Sequence, residues 1–255
     1  MRFKALILDL DGFIYKGRQE VPGAGQFVSK LKENSIPYVF LTNRANRSAE
    51  EIAGIIGGFN CPCEPENVVT AAQAAAITLV DEGAKSVHVF GSDALRDEFI
   101  ELGVDVYSET PSHVVVGVNR EIKTEEVDQA LRHILNGAQL VSTNPDLLSF
   151  NETGPCYANG FFVAGFEAST GVTARVMGKP FIPIVDLALK RLGVEKEGVA
   201  IAGDNLRTDI LAAKNSGLTS ILSLTGVSTR QDCEKLNIHP DHVVENFEEL
   251  SSLVF

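Results

Sequence analysis

Two carboxylates separated by a single residue, Asp9 and Asp11, follow a short apolar run near the start of the sequence. The run, residues 3–8, shows no polar alternation, which is typical of a strand buried on both faces of a parallel sheet. Such sheets place functional residues at the C-terminal ends of their strands. Asp9 and Asp11 are therefore candidates for nucleophilic or acid–base chemistry, and Gly12 allows the chain to turn directly after them.

A further carboxylate, Asp204, follows another predicted strand at residues 199–202. If it reaches the same sheet edge as Asp9 and Asp11, the carboxylates repel one another at low dielectric constant. A hard divalent cation relieves this repulsion, and an all-oxygen ligand set suits Mg²⁺. An Asp-x-Asp pair taken alone is better explained by a solvated turn, but the second acidic cluster, which continues to Asp209, favours a metal site.

Thr42 and Lys179 supply groups of complementary character. Thr42 follows a predicted strand at residues 38–41, and a hydroxyl at a strand end with main-chain N–H groups behind it can bind an anion. Lys179 lies near the start of a predicted helix, where its charge adds to the helix dipole. Taken alone, Thr42 is equally explained as a helix N-cap and Lys179 as a surface lysine. Together with the carboxylates they predict a phosphate site facing a metal site.

The elements that must position these residues alternate between strand and helix at both ends of the chain, as in parallel βαβ units. The middle of the chain has its own set of elements, which includes a strand predicted at residues 104–107 and a helix predicted at residues 124–136. We predict an α/β fold with a doubly wound parallel-sheet core, residues 1–72 and 177–255, and a second α/β domain, residues 73–176, inserted into it.

The composition excludes several classes of protein. Among 255 residues, 22 are Lys or Arg and 34 are Asp or Glu, so the net charge of −12 disfavours binding to nucleic acid. No apolar run approaches the ~20 residues of a membrane span, and Asp9 and Asp11 interrupt what would be the apolar region of a signal peptide. Four cysteines are too few for a disulfide scaffold. We therefore expect free thiols and a cytoplasmic location.

In order and residue type, these motifs resemble those of the haloacid dehalogenase (HAD) superfamily of phosphatases. The four matching motifs are Asp9-Leu10-Asp11-Gly12, Thr42, Lys179, and Gly203-Asp204 with Thr208-Asp209. The large insertion between the second and third motifs is similar to the type C2 cap of the NagD-like and p-nitrophenyl phosphatase branch. Three segments support that branch: Pro22-Gly23-Ala24, Thr143-Asn144-Pro145-Asp146 and Gly178-Lys179-Pro180.

The resemblance implies a Rossmann-like core and Mg²⁺-dependent hydrolysis of a small phosphomonoester, such as a sugar phosphate or a nucleoside monophosphate, through an aspartyl-phosphate. In this family pattern Asp9 is the nucleophile and Asp11 is the general acid and base. The metal is held by Asp9, the main-chain carbonyl of Asp11, and Asp204. Asp209 and Asn205 support these groups without touching the substrate.

The resemblance also implies a substrate-binding set, which consists of Gly12, Thr42, Asn43, Arg44, Lys179, Asn144 and Asp146. Arg44 departs from many members of the family, which carry a second Asn there. It is explained either by a more anionic or sugar-like substrate or by a simple surface difference.

The inserted domain is expected to contact the organic part of the substrate through an irregular run, residues 144–162, because its Pro and Gly residues break regular structure. The polar and aromatic side chains that this run offers are Asn144, Asp146, Asn151, Phe150, Tyr157 and Phe161. The aromatic residues Phe161 and Phe162 are equally explained as part of the core of the cap.

The predicted partner is a small phosphomonoester, with no nucleic acid and no membrane, and the resemblance also allows a homodimer through the cap. Two alternatives stay open: a receiver-like signalling module that accepts phosphate without turnover, and another HAD phosphotransferase such as a mutase. Receivers are much shorter and lack an inserted cap. The presence of Asp11 disfavours a dehalogenase, in which no alkoxide needs a proton. Pro180 after Lys179 breaks the pattern of a phosphate-binding loop of an NTPase.

Overall fold

The computed structural model of the protein describes residues 3–151 and 154–255. These residues form two compact units. The first unit runs up to residue 42 and includes residues 49–69 and 179–255, and the second comprises residues 43–48 and 70–178. The cap predicted at residues 73–176 lies inside the second unit. The short segment 43–48, which follows Thr42 directly, belongs to that unit as well.

Strands and helices alternate along the described chain. Up to residue 70 the elements are β1 (Ala5–Leu8), β2 (Tyr15–Lys16), β3 (Gln19–Glu20), α1 (Ala24–Glu33), β4 (Tyr38–Thr42), α2 (Ala49–Gly57), a 3-10 turn (Pro65–Asn67) and β5 (Val68–Thr70). Up to residue 178 they are α3 (Ala71–Asp81), β6 (Val87–Phe90), α4 (Asp93–Glu101), β7 (His113–Val116), α5 (Thr124–Leu135), β8 (Gln139–Ser142), β9 (Leu148–Asn151), β10 (Gly154–Tyr157), α6 (Asn159–Thr170) and β11 (Arg175–Val176). The remaining elements are α7 (Ile182–Leu192), β12 (Val199–Gly203), a π-helical turn (Leu206–Ile210), α8 (Leu211–Ser216), β13 (Thr219–Ser223), α9 (Arg230–Leu236), β14 (His242–Val244) and α10 (Phe247–Val254).

The first unit is built on a six-stranded sheet in the order β14-β13-β12-β1-β4-β5. The pairings from β14 to β4 are parallel. Strands β1, β4 and β12 are buried along their whole length, which explains why their sequences show no polar alternation. Neighbouring residues of β13, Ile221 and Leu222, belong to separate apolar clusters, so both faces of the sheet are covered. The predicted doubly wound α/β fold is thus confirmed.

The second unit contains a parallel four-stranded sheet in the order β11-β8-β7-β6. Side chains of this sheet pack with α5 and α6 around Phe90, Val114, Ile134 and Phe166. Strands β9 and β10 form a separate antiparallel hairpin. Within the described parts of the chain, no helix is long and apolar enough to cross a bilayer, and the longest ones, α5 and α6, have 12 residues each.

The strand predicted at residues 104–107 is absent. The alternation that suggested it is real, because Val104 and Val106 are buried while Asp105 and Tyr107 are exposed. However, Asp105 makes only a single bridge, to Ser86. The side chain of Asp105 then accepts a hydrogen bond from the Tyr107 N–H at 2.9 Å, and this local turn ends the extended segment.

The irregular run predicted at residues 144–162 is also wrong, because it contains the β9–β10 hairpin and the start of α6. Pro155 does not prevent strand formation, since β10 pairs only with β9 and a proline is tolerated on such an edge. Phe162 packs against Phe90, whereas Phe161 is 59% exposed. The side chains of Phe150 and Asn151 lie outside the described part of the structure.

Candidate active site

Three parallel strands of the first unit end side by side, and each end carries a polar residue. Asp9 follows β1, Thr42 closes β4, and Asp204 follows β12. β1 is the central strand of the three. Its Leu8 pairs with Ala202 of β12 on one side and with Phe40 of β4 on the other. The sheet therefore brings these three residues, predicted from separate stretches of sequence, to one edge.

Lys179 connects two of the predicted carboxylates. Its Nζ donates to Asp9 Oδ1 at 2.5 Å, to Asp209 Oδ1 at 2.6 Å and to the Leu41 carbonyl at 3.0 Å. The side chain is 3% exposed, so the ammonium group is almost fully removed from water. The alternative interpretation of Lys179 as a surface lysine is thus wrong, because Lys179 is buried among acidic groups.

Asp204 is held by the segment that follows β13. Its Oδ2 accepts a hydrogen bond from the Val227 N–H at 2.6 Å. Gly226 lies so close that a Cβ built on it would be 1.7 Å from Asp204 Oδ2, and a Cβ on Gly12 would be 2.3 Å from the same atom. Two glycines therefore flank this carboxylate, and any larger residue would displace it.

Asp209 is fully buried and lies in the π-helical turn after β12. One of its oxygens accepts the hydrogen bond from Lys179, and the other accepts one from the Asn205 N–H at 3.1 Å. The Asn205 side chain caps the same turn by accepting from the Arg207 N–H at 2.9 Å. The geometry suits Asp209 to orienting Lys179, and Asn205 to holding Asp209.

The electrostatics of this cluster are dominated by burial. Burial first, and the charge of Asp209 second, raise the pKa of Asp9 well above its ordinary value, although Lys179 partly offsets this. The same two causes raise the pKa of Asp204 to about 6. Burial alone would lower the pKa of Lys179, but the carboxylates of Asp209 and Asp9 more than compensate and raise it. Lys179 is therefore a stable cation in a site with excess negative charge.

The same carboxylates fit a divalent metal ion. Oxygen atoms of Asp9, Asp204 and Asp209 all lie within 4.8 Å of one another, and all three residues are buried. A hard cation such as Mg²⁺ prefers this all-oxygen donor set. Burial first and the charge of Asp209 second raise the pKa values of Asp9 and Asp204, and a further cation would offset both causes.

Asp11 lies in a tight turn between β1 and β2. The carbonyl of Leu10 accepts hydrogen bonds from the N–H groups of Phe13, Ile14 and Tyr15, and Gly12 adopts a φ of 90°. Asp11 itself is exposed to solvent. Among the predicted site residues of the first unit, Asp11 is thus the carboxylate that is accessible to water.

The other predicted substrate-binding residues lie in the second unit. Asn43 donates from Nδ2 to Asp146 Oδ2 at 3.3 Å, and its carbonyl accepts a hydrogen bond from Asn144 Nδ2 at 2.9 Å. The Asp146 N–H in turn donates to Asn144 Oδ1 at 3.1 Å. Arg44 is half-buried in the same unit. Substrate binding by these four residues stays a prediction.

The segment that begins at the end of β13, residues 223–228, was not among the predicted site residues. Besides the Val227 N–H, this segment provides the Ser228 N–H, which donates to the Asp204 carbonyl at 3.0 Å, and Thr225, whose hydroxyl donates to the Gly12 carbonyl at 3.0 Å. One signal was available, because the segment follows a buried strand and is rich in Thr, Gly and Ser. The segment lacks charged residues, so its residue types did not identify it as part of a candidate active site.

Comparison with known proteins gives a consistent result. A family model described as haloacid dehalogenase-like hydrolase matches residues 6–105, and a HAD-hydrolase-like model matches residues 176–250. An acid sugar phosphatase of Staphylococcus aureus is 33% identical over 250 residues, which covers 97% of this chain and 96% of the relative.

Solved structures agree with this similarity over the full length. A p-nitrophenyl phosphatase from Archaeoglobus fulgidus has a TM-score of 0.94 and 30% identity, with 100% of both chains covered. NagD from E. coli K-12 has a TM-score of 0.91 and 31% identity, with 98% of both chains covered.

Proposed function

Because the chain belongs to the haloacid dehalogenase-like hydrolases and is a phosphatase of their NagD-like branch, we propose that it hydrolyses small phosphomonoesters through a phosphorylated Asp9. The observation that carries this proposal is the buried contact of Asp9 with Lys179, itself paired with Asp209. A carboxylate held in this way is oriented for attack, and Lys179 offers positive charge to an incoming phosphate.

In the first step, a carboxylate oxygen of Asp9 attacks phosphorus and the bond from phosphorus to the ester oxygen breaks. The departing oxygen takes a proton from Asp11, which is exposed and next but one to Asp9 in the chain. In the second step, Asp11 takes a proton from water as that water attacks the phosphorus of the aspartyl-phosphate, and the bond from phosphorus to the Asp9 oxygen breaks. Inorganic phosphate leaves, and both carboxyl groups return to their initial states.

The phosphoryl oxygens are bound by Lys179 and by the hydroxyl of Thr42 in this proposal. Thr42 is almost fully buried at the end of β4, and Lys179 contacts the carbonyl of the preceding residue, Leu41. The main-chain N–H of Asn43, the residue after Thr42, is a further donor in the proposal. Hydrogen-bond donors fixed before the reaction stabilise the charge of the transition state without reorganisation.

Asp9, Asp204 and the main-chain carbonyl of Asp11 would hold Mg²⁺. When bound, the ion supplies positive charge that lets two anions approach and offsets charge on the phosphoryl oxygens. Asp209 contributes by keeping Lys179 in place, since both of its oxygens already accept hydrogen bonds from the protein.

The substrate is proposed to be a small phosphorylated metabolite, with sugar phosphates as the first to test because a relative is named an acid sugar phosphatase. A role for residues 73–176 in choosing the substrate, a homodimer through those residues and a cytoplasmic location stay predictions. A phosphate-accepting receiver would release at most one equivalent of product, so catalytic turnover distinguishes it from the proposed hydrolase.

The decisive experiment is Asp9→Asn, with phosphate release from p-nitrophenyl phosphate measured in Mg²⁺. We expect turnover to fall by roughly 10⁴-fold or more, because amide nitrogen and oxygen are poor nucleophiles. Asp186→Asn, at an exposed position of α7, is the matched control and should retain full activity. Near-wild-type turnover by Asp9→Asn would exclude the proposed mechanism.

A further inference from the structure

The segment after β13, residues 223–228, holds Asp204 from both sides. Its Val227 N–H binds the Asp204 side chain at 2.6 Å, and its Ser228 N–H binds the Asp204 carbonyl at 3.0 Å. The hydroxyl of Ser228 also accepts a hydrogen bond from the Leu206 N–H at 3.0 Å. Main-chain groups of the segment thus fix the position of Asp204, and the side chain of Thr225 contacts a different partner.

Thr225 makes that contact with the turn that contains Asp11. Its Oγ1 lies 3.0 Å from the Gly12 carbonyl and 3.1 Å from Ser223 Oγ. A carbonyl oxygen can only accept, so the single proton of Thr225 goes to Gly12. Ser223, which is 1% exposed, must then donate its own proton to Thr225. In this arrangement the Ser223 hydroxyl donates to the Thr225 hydroxyl, which donates to the Gly12 carbonyl.

Gly12 is consequently held at three points. Its N–H donates to the Tyr15 carbonyl at 2.8 Å, its carbonyl accepts from Thr225, and its Cα side packs against the Asp204 carboxylate. Its φ of 90° lies in the region that favours glycine, so the turn depends on this residue keeping its conformation. Asp11 precedes Gly12 directly, and fixing Gly12 restricts the direction of the Asp11 backbone.

We propose that Thr225 is a positioning residue for Asp11, acting through Gly12. This inference rests on the proposed function, in which Asp11 gives a proton to the departing oxygen. Thr225 does not touch the substrate. Its hydroxyl keeps the Asp11–Gly12 peptide in place, so that the Asp11 carboxyl stays within reach of the leaving group. A misplacement of a catalytic group by about 1 Å can lower a rate by about 100-fold.

This role predicts a dependence on the leaving group that a purely structural role does not. p-Nitrophenolate is a stable anion and departs without a proton, whereas the alkoxide of a sugar phosphate needs one. Loss of Asp11 positioning therefore slows the attack on sugar phosphates more than the attack on p-nitrophenyl phosphate. The constant kcat/KM reports this comparison, because it includes only the steps up to the phosphorylation of Asp9.

The test compares Thr225→Val, which keeps the shape but removes the hydroxyl, with Thr225→Ser, which keeps the hydroxyl. Thr229→Val is the matched control, since the Thr229 hydroxyl caps α9 through Asp232 and does not contact Gly12. Thr225→Ala is included as a smaller variant in case valine disturbs the fold. Substrates are p-nitrophenyl phosphate and the sugar phosphate that the wild type hydrolyses fastest, and each variant is also melted.

For Thr225→Val we expect kcat/KM to fall about tenfold to hundredfold on the sugar phosphate and less than about threefold on p-nitrophenyl phosphate. Thr225→Ser should recover most of this loss, and Thr229→Val should lower the melting temperature without changing the ratio between substrates. Equal losses on both substrates, or no loss, would overturn the positioning role while leaving the phosphatase intact. An inactive wild type would instead overturn the proposed function.

Discussion

Both units bury polar side chains near the C-terminal ends of parallel strands, but the two sets differ in charge. The first unit buries Lys179 with Asp9, Asp204 and Asp209. The second buries uncharged groups after β8: Ser142 Oγ donates to the Asn144 carbonyl at 2.7 Å, and Asn159 Nδ2 donates to the same carbonyl at 2.9 Å. The same strand-end position in a sheet therefore serves two purposes.

The uncharged set forms hydrogen bonds among its own members, although Asn159 Oδ1 has no partner among the described residues, and it fixes the backbone of the segment around Asn144, which in turn binds Asn43. In the charged set, one ammonium faces three carboxyl groups, and burial together with the charge of Asp209 raises the pKa values of Asp9 and Asp204. We infer that the mutual repulsion of the buried carboxylates in the first unit serves its chemistry. The uncharged hydrogen bonds of the second unit make its backbone rigid.

The largest expected effect comes from removing the one cation of the charged set. Lys179→Met leaves buried carboxylates without their partner, which typically destabilises a protein by about 3–5 kcal/mol. Turnover of p-nitrophenyl phosphate should fall by roughly 10³-fold, because a fixed donor to the phosphate is lost. Urea unfolding without metal measures the first effect, with Lys32→Met on the exposed side of α1 as control. Unchanged unfolding would show that the cluster stores no repulsion.

A smaller effect on stability, and one of opposite sign, is expected for Asp204→Asn. This substitution removes a negative charge from the cluster, so the metal-free variant should melt at or slightly above the wild type. Mg²⁺ should raise the melting temperature of the wild type and have little effect on the variant. Melts in EDTA and in Mg²⁺ decide the point. A variant that melts far below the wild type in EDTA would identify Asp204 as a structural partner instead.

The Asp204→Asn variant also tests how the stability of the metal-free protein depends on pH. The pKa of Asp204 is raised from 3.8 to about 6, so the folded protein holds this proton more tightly than the unfolded chain. Its contribution to stability is greatest below about pH 4 and is lost as the pH rises through 6. The metal-free wild type should therefore lose stability over this interval by more than Asp204→Asn does. Parallel losses in both proteins would assign the effect to other groups.

The smallest effect is expected in the uncharged set. Ser142→Ala removes the hydroxyl bonded to the Asn144 carbonyl, while Asn159 still donates to that carbonyl. We expect a loss of about 1 kcal/mol in the free energy of unfolding and kcat/KM within about twofold of the wild type. A large loss of activity at unchanged stability would show that the uncharged set takes part in the reaction, which would contradict the proposed difference between the two sets.

Asp9 and Asp204 could be predicted because charged residues at the ends of apolar runs are conspicuous, and the sheet order brings these two together. Lys179 was predicted from its position near the start of a helix. Thr225 and Val227 could not, since one acts through an ordinary hydroxyl and the other through a main-chain N–H, which every residue except proline has. Such contacts are fixed by tertiary structure and leave little trace in residue type.

The second unit was harder to predict for a different reason. Residues 104–107 alternate in burial as a strand would, yet the chain turns where the Asp105 side chain accepts a hydrogen bond from the Tyr107 N–H. Residues 144–162 contain Pro and Gly, yet they form a hairpin because an edge strand tolerates both. In both segments the outcome was decided by hydrogen bonds between residues that are close in the chain, which residue type alone did not reveal.

The order of strands in the first sheet has a consequence for biosynthesis. β1 lies between β4, which follows it closely in the chain, and β12, which is about 190 residues later. A nascent chain that has been synthesised only to residue 178 therefore contains Asp9 and Asp11 but lacks Lys179, Asp204 and Asp209. Pairing across so long a separation is slow and must wait for the last third of the polypeptide. The acidic cluster is thus assembled only late in translation.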